Sequence, residues 1–199
     1  MQTDERYRRF KLASCKATAP LAAEARIVRP QRRYPLSCEC RIAAADDFAA
    51  VGRMLELYQY ELSDIWDQDL DARGEYGYDL DKHVLAERFF AHVALVNGCY
   101  AGFALVAPAH VTQTDGHWME QFFILKKYRR GGNGLALATH VLDCHPGPWE
   151  IGQMPANVAA RSFWRAVVSR LASGTFSEVQ VTQGWWQGTV QRFVYAPAA

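Results

Sequence analysis

The stretch that most constrains this chain runs from Met119 to Leu137, Met-Glu-Gln-Phe-Phe-Ile-Leu-Lys-Lys-Tyr-Arg-Arg-Gly-Gly-Asn-Gly-Leu-Ala-Leu. Trp118 to Leu125 is an aromatic and aliphatic run of strand length. Lys126 to Gly134 is a basic, glycine-rich turn, and Leu135 to Leu142 is rich in good helix formers. A strand, a glycine-rich turn and a helix start together make an anion cradle. Glycines let the backbone approach a ligand and take positive φ. The first N–H groups of a helix have no internal partner and point into the turn. Arg129 and Arg130 add forked, permanently charged donors suited to phosphate.

The pattern excludes two common phosphate binders. No Lys-Ser or Lys-Thr follows these glycines, so a P-loop fails, and Leu137 fills the sixth position of a dinucleotide fingerprint that starts at Gly132. What fits is Arg129-x-x-Gly132-x-Gly134. It resembles the pyrophosphate motif of GNAT-type N-acyltransferases, Gln/Arg-x-x-Gly-x-Gly/Ala, which follows a hydrophobic strand and stands here in the setting Leu125-Lys-Lys-Tyr-Arg-Arg. Downstream, Trp149-Glu-Ile-Gly-Gln leads to Asn157, Ala160, Phe163 and Trp164. This resembles the second half of the same core, a strand followed by an Asn-x-x-Ala-x-x-apolar-aromatic helix. The resemblance spans about residues 40 to 196 and is strongest to a branch of predicted acetyltransferases without an assigned substrate.

The remaining chain agrees with one α/β domain. Residues 1 to 36 hold nine basic and three acidic residues, a net +6, which leaves −5 on the remainder of a chain with total charge +1. Three prolines interrupt this segment, and no apolar h-region marks it as a secretory signal. It reads as a basic, poorly ordered extension ahead of a single domain at 37–199. The near-neutral total argues against a dedicated nucleic-acid binder. No apolar run reaches the ~18 residues of a membrane helix. Five cysteines, an odd and scattered set, suit reduced thiols in a cytoplasmic protein, and Cys38-x-Cys40 lacks the further ligands a metal site needs.

Ser37 to Ala43 reads as a first strand, and Asp46 or Asp47 as the cap of a helix from Phe48 to Leu62. Tyr58 and Tyr60 on that helix read as packing. Ser63 to Asp81 carries seven acids and reads as a solvated loop, or as an acidic rim that attracts a cationic acceptor. A helix is expected over 81–90. Asn97-Gly98 is a type I′ hairpin signal between His92–Val96 and Tyr100–Val106. Trp149–Gln153 is a strand, Pro155–Val168 a helix begun by Pro155, and Ser177–Gln183 with Thr189–Tyr195 a last hairpin. The resulting order is a mixed sheet of six to seven strands flanked by about four helices, the arrangement the GNAT resemblance implies.

The resemblance also implies a mechanism. Acetyl-CoA is the co-substrate, and no metal is expected. The cradle strand and the next strand part, and the coenzyme's pantetheine arm lies between them. Backbone groups of Phe123, Ile124 and Leu125 would pair with that arm, and N–H groups around Arg129, Arg130, Gly131, Gly132, Asn133, Gly134 and Leu135 would hold the pyrophosphate. Leu125 N–H would stabilise the thioester oxygen, with Asn157 and Trp164 beside the coenzyme. The acceptor is a small-molecule or protein amine, neutral when it attacks, so a general base is needed. Glu120 is the first candidate, with Glu150 and His117 behind it. Trp164 stands where many members carry a tyrosine, and an indole cannot protonate a thiolate. That leaves a non-catalytic acyl-CoA sensor as the competing reading, and a nucleotide-binding protein of another fold as a third. The oligomeric state, a homodimer included, stays open.

Overall fold

The computed structural model describes residues 38–197, so the basic segment 1–36 lies outside the described residues. Seven strands form one sheet: β1 (Cys38–Ile42), β2 (Phe90–Val96), β3 (Cys99–Pro108), β4 (His117–Ile124), β5 (Gly147–Gln153), β6 (Ser177–Val181) and β7 (Gly188–Tyr195). Their spatial order is β1-β2-β3-β4-β5-β7-β6. Every neighbouring pair is antiparallel except β4–β5. Among the described residues, four α-helices accompany them: α1 (Phe48–Trp66), α2 (Asp81–Leu85), α3 (Asn133–Cys144) and α4 (Val158–Leu171). The expected mixed α/β sheet and its element order are therefore present.

The two faces of the sheet are covered by different helices. Val51, Met54 and Leu55 of α1 pack on Ala91, Val93, Phe103, Leu105 and Phe123. Leu137, Val141 and Leu142 of α3, with Trp164 and Val168 of α4, pack on Ala94, Ala104, Met119, Trp149 and Phe193 of the opposite face. Side chains alternate along each strand, so one sheet serves both cores.

Element boundaries move for local reasons. Helix α1 runs four residues past Leu62, because nothing breaks it until Asp67 turns left-handed at φ 51°. Helix α2 stops at Leu85, since Phe90 and Ala91 are drawn into β2 against Val106 and Leu105. Helix α4 begins at Val158, not at Pro155. The Asn157 side chain is its cap and accepts from Ala160 N at 3.0 Å. Asn97 and Gly98 have φ of 53° and 73°, the geometry of the expected hairpin turn.

Asp47 does not cap α1 with its side chain. Its carboxylate is instead the junction between β1, α1 and β3. It accepts from Ala44 N (2.6 Å), from both terminal nitrogens of Arg41 (2.5 and 2.9 Å) and from the Tyr100 hydroxyl (2.6 Å). The Arg41 hydrogen bonds, against the opposing effect of burial, hold this carboxyl well below the usual carboxylate range.

A second polar group lies inside the helix-α3 core. His92 is fully buried, and its two ring nitrogens lie 3.3 Å from His140 Nε2 and 2.9 Å from His145 Nε2. Burial, then the neighbouring imidazoles, lowers His92 to about 3 and His145 to about 4, so both rings are uncharged.

Asp47 generates a stability prediction. Asp47→Asn leaves the guanidinium without its counter-charge and should cost about 2–3 kcal/mol at pH 7, the usual scale for hydrogen bonds to charged groups. A folded pKa below the unfolded one gives stability that is present above the unfolded value and lost as pH falls through the folded one. Chemical denaturation of the two chains should therefore begin to converge as pH falls below about 4, the unfolded aspartate range. A constant difference down to pH 2 would remove this account.

Candidate active site

The site is set by a break in one strand. Leu105 pairs with Gln121 but Val106 pairs with Met119, so Glu120 is an extra residue on β4. Such a bulge bends a strand and re-aims its side chains. Met119 packs in the core of α3 and α4, whereas Phe123 packs against α1. An odd-numbered residue changes face across Glu120, which is the signature of the insertion. The parallel pairing of β4 to β5 covers only His117–Trp149 and Trp118–Glu150, before the bulge. Beyond it the two strands part.

The gap opens into a long cleft in two connected halves. One half, about 650 Å³, is lined by Phe122, Ile124, Arg130, Gly132, Gly134 and Leu135, among others. The other, about 770 Å³, is lined by Trp118, Glu120, Tyr78, Lys82, Trp185 and Trp186, among others. Tyr58, Phe122, Asn157, Ala160 and Trp164 line both and mark the junction.

The first half ends on the glycine-rich turn. Gly132 has φ 82° and is the N-cap of α3. Its carbonyl receives the first helical N–H, that of Ala136, at 2.9 Å. Among the described residues no acceptor meets the backbone N–H groups from Arg130 to Leu135. Gly134 serves a different need. A β-carbon there would stand 3.2 Å from the Phe163 ring, so its absence lets the starts of α3 and α4 close together. Asn133 is buried and clips the turn by donating from Nδ2 to the Tyr128 carbonyl at 2.7 Å. The positive end of α3 and its unmet N–H groups suit an anion such as pyrophosphate.

Several expected roles are corrected by the geometry. Leu125 N–H is not free for a thioester oxygen, because β3–β4 pairing continues one step and it donates to Ala101 O at 2.9 Å. In an antiparallel ladder this register also turns the backbone of Phe123 towards β3, and that of Phe122 and Ile124 away from it, into the gap. The Phe123 and Leu125 backbones are thus replaced as the free edge by the Phe122 backbone and the Ile124 N–H, the Ile124 carbonyl being taken by Arg129. Arg129 is not a free phosphate ligand. Its terminal nitrogens are bidentate to Glu61 at 2.6 and 2.8 Å, and its Nε donates to the Ile124 carbonyl at 2.6 Å. Arg130, at φ 62°, is exposed and lines the cleft. Gly131, exposed, and Asn133, buried, lie on the turn without lining it. Glu150 and His117 lie away from the cleft. Glu150 is fully buried and anchors the β3–β4 loop by accepting from Val111 N (3.1 Å), Thr112 N (2.6 Å) and Thr112 Oγ1 (2.5 Å). His117 packs against Trp149 and His145.

In the second half, Glu120 points into the cleft with 16% of its side chain exposed, so it is not a solvent-facing strand residue. Lys82 Nζ donates to its Oε1, and His83 Nε2 lies 3.0 Å from its Oε2. Burial alone would raise this carboxyl, but His83 and Lys82 outweigh burial and bring it to about 2. Lys82 also lies 5.8 Å from the Tyr78 ring centre. The walls are aromatic. Trp186 meets Trp118 edge-on at 5.5 Å, Trp185 stacks on His110 at 4.9 Å, and Trp66 Nε1 donates to Met154 Sδ from α1 across to the end of β5. Of the acidic stretch after α1, Asp79 reaches the cleft. Asp71 is instead spent on the backbone of Arg73 and Glu75.

Sequence reasoning missed Lys82, His83 and the cleft position of Tyr58. The first two lie 38 and 37 positions before Glu120, and only the fold brings them to it. Tyr58 packs edge-on against Trp66, Phe103 and Phe123, as a core residue would, yet it borders both halves. Burial raises its phenol and keeps it protonated.

Comparison with known proteins agrees with this architecture. No curated protein sequence matches the chain. Among solved structures, the ribosomal-protein-S18-alanine N-acetyltransferase from Escherichia coli superposes with TM-score 0.55 at 15% identity, covering 82% of this chain and 97% of its own. The histone acetyltransferase HPA2 and related acetyltransferase from Corynebacterium glutamicum gives TM-score 0.59 at 14% identity, over 81% and 98%. The PaiA N-acetyltransferase from Thermoplasma acidophilum, in complex with coenzyme A, gives 0.56 at 12% identity, over 80% and 99%. At such identities these neighbours speak for the fold alone. The sequence profile of the acetyltransferase (GNAT) family, however, matches residues 53–167, from the first helix through the cradle to α4, and the chain belongs to that family.

Proposed function

We propose that this chain is an acetyl-CoA-dependent N-acetyltransferase that transfers acetyl directly to an amine in a ternary complex. The observation that carries the reading is the parting of β4 and β5. It joins a cradle of unmet N–H groups at one end to an ionised carboxylate in an aromatic-walled cleft at the other. Family membership supports acetyl-CoA as the donor. The pyrophosphate lies on the N–H groups from Arg130 to Leu135, with Arg130 beside it. The pantetheine arm runs along the Phe122 backbone and the Ile124 N–H, and Trp164 and Asn157 wall the junction.

The acceptor is a small-molecule or protein amine, cationic when it arrives. Glu120 already holds one primary ammonium, that of Lys82, beside an aromatic ring. An incoming ammonium meets the same chemistry. The neutral fraction of the amine attacks the thioester carbonyl. Its nitrogen becomes far more acidic as the C–N bond forms, and Glu120, directly or through water, takes that proton. A carboxylate near 2 is a weak base for a free ammonium but adequate for this species. The C–S bond then breaks. Tyr58, a protonated phenol at the junction, is the group placed to protonate the departing thiolate, a role the indole of Trp164 cannot fill.

Two measurements test this. Acetyl-CoA at 100 times its Kd should stabilise the fold by about 2.7 kcal/mol. Gly132→Val, which forces a β-branched residue to φ 82°, should weaken that binding at least tenfold, about 1.4 kcal/mol. No thermal shift with saturating acetyl-CoA would defeat the proposal. Normal coenzyme binding by the Gly132 variant would remove the cradle from it.

Turnover on an amine panel separates enzyme from sensor. Glu120→Gln should keep coenzyme affinity and lose about 10² to 10⁴ in rate, the usual share of a general base. The loss should persist at high pH, because a larger neutral fraction of the amine raises the parent and variant rates alike while Glu120 acts after the attack. Coenzyme binding with no turnover of any amine would make the chain an acyl-CoA sensor, and an unimpaired Glu120→Gln variant would place the base elsewhere.

A further inference from the structure

The far end of α3 carries a cluster that acetyl transfer does not use. His140 and Cys144 are four residues apart on that helix and therefore share a face. His92 stands opposite them on β2, on the same side of the strand as the core residues Ala94 and Val96. His92 Nδ1 lies 3.3 Å from His140 Nε2, and His140 Nε2 lies 3.7 Å from Cys144 Sγ. One ligand atom from each of the three residues falls within 4.8 Å of the others.

Two of these spacings are close to the edges of a metal tetrahedron, and the third lies within 4.8 Å. Bond lengths of about 2.0–2.1 Å to nitrogen and about 2.3 Å to sulfur give edges of ~3.3 Å between two nitrogens and ~3.5 Å between nitrogen and sulfur. A cation can enter between the three groups with shifts of a few tenths of an ångström on those two edges. The neighbouring imidazole supplies the supporting contact such sites use. His145 Nε2 is 2.9 Å from His92 Nε2. With the His92 proton on Nε2 and donated to His145, the Nδ1 lone pair faces His140 and Cys144. Cys144 is exposed and His140 half-buried, so an ion and a water have a path in from solvent.

We infer that His92 Nδ1, His140 Nε2 and Cys144 Sγ form a binding site for a divalent transition cation of the zinc type, with solvent as the fourth ligand. Two imidazoles and a thiolate favour zinc over magnesium or calcium. On binding, the Cys144 thiol loses its proton to solvent as the metal–sulfur bond forms, and no oxidation state changes. The site ties β2 to the C-terminal end of the helix whose N-terminus forms the anion cradle. Its role is therefore to fix that helix, and it takes no part in acetyl transfer. The competing explanation is a chain of ordinary hydrogen bonds between neutral imidazoles.

Metal titration of the full chain decides between them. Protein stripped with a chelator and dialysed should bind one equivalent of zinc(II), release about one proton and show a raised Tm. Cobalt(II) in its place should give a thiolate charge-transfer absorption. Cys144→Ser and His140→Ala should each weaken zinc binding at least tenfold, while the metal-free Tm of Cys144→Ser stays near that of the parent. The double variant Cys38→Ser/Cys40→Ser should bind as the parent does. The inference is overturned if no saturable one-to-one zinc binding occurs at micromolar free metal. It is equally overturned if the Cys144→Ser and His140→Ala proteins bind zinc as tightly as the parent, which would assign the metal to other residues.

Discussion

The structure depends on the refusal of β4 and β5 to stay paired. Two parallel strands joined along their whole length would bury their edges in one another. Here the ladder ends at Trp118–Glu150, and two residues further along β4, Glu120 is a bulge. One inserted residue thereby opens the cleft, frees the Phe122 backbone and the Ile124 N–H, and turns a carboxylate into the opening. Glu150, one step along the facing strand, anchors the loop that leads into β4 and so holds the paired end shut. The open end and the closed end are two halves of one device.

The cradle at the open end is made mostly of backbone. Its glycines do not share one task. Gly132 is required by its left-handed φ and faces open space, whereas Gly134 is required by the nearness of Phe163. A motif that reads as a single phosphate signature thus combines a turn requirement with a helix-packing requirement. Both must be met for the start of α3 to stand at the end of the gap.

Much of this was legible in the chain. Asn97-Gly98 marked its hairpin and the glycine spacing marked the turn before α3, because each acts through neighbours a few positions away, whereas the start of α4 was read at Pro155, ahead of its true cap Asn157. The side of β4 on which Glu120 lies was not legible. A bulge breaks the period of two, and no local residue announces it. Lys82, His83 and Tyr58 were missed for the opposite reason, since their positions relative to Glu120 come from the fold and not from spacing. The arginines misled. A basic turn before a glycine-rich helix start reads as a set of phosphate ligands, but Glu61, 68 positions earlier, claims Arg129. His92, His140 and His145 meet only through the fold, and no local spacing announces it.

The engagement of Arg129 has a consequence for how a ligand is received. Its guanidinium is gripped by Glu61 on α1, its Nε by the Ile124 carbonyl at the end of β4, and its plane lies over Phe123 at 5.3 Å. The loop is thus staked to two rigid elements before anything binds. Its conformational entropy is surrendered on folding rather than on association, so a pyrophosphate meets a preorganised ring of dipoles. Such a ring carries little net charge. Apart from Arg130, its attraction for an anion acts at contact distance, and added salt has little long-range field to screen.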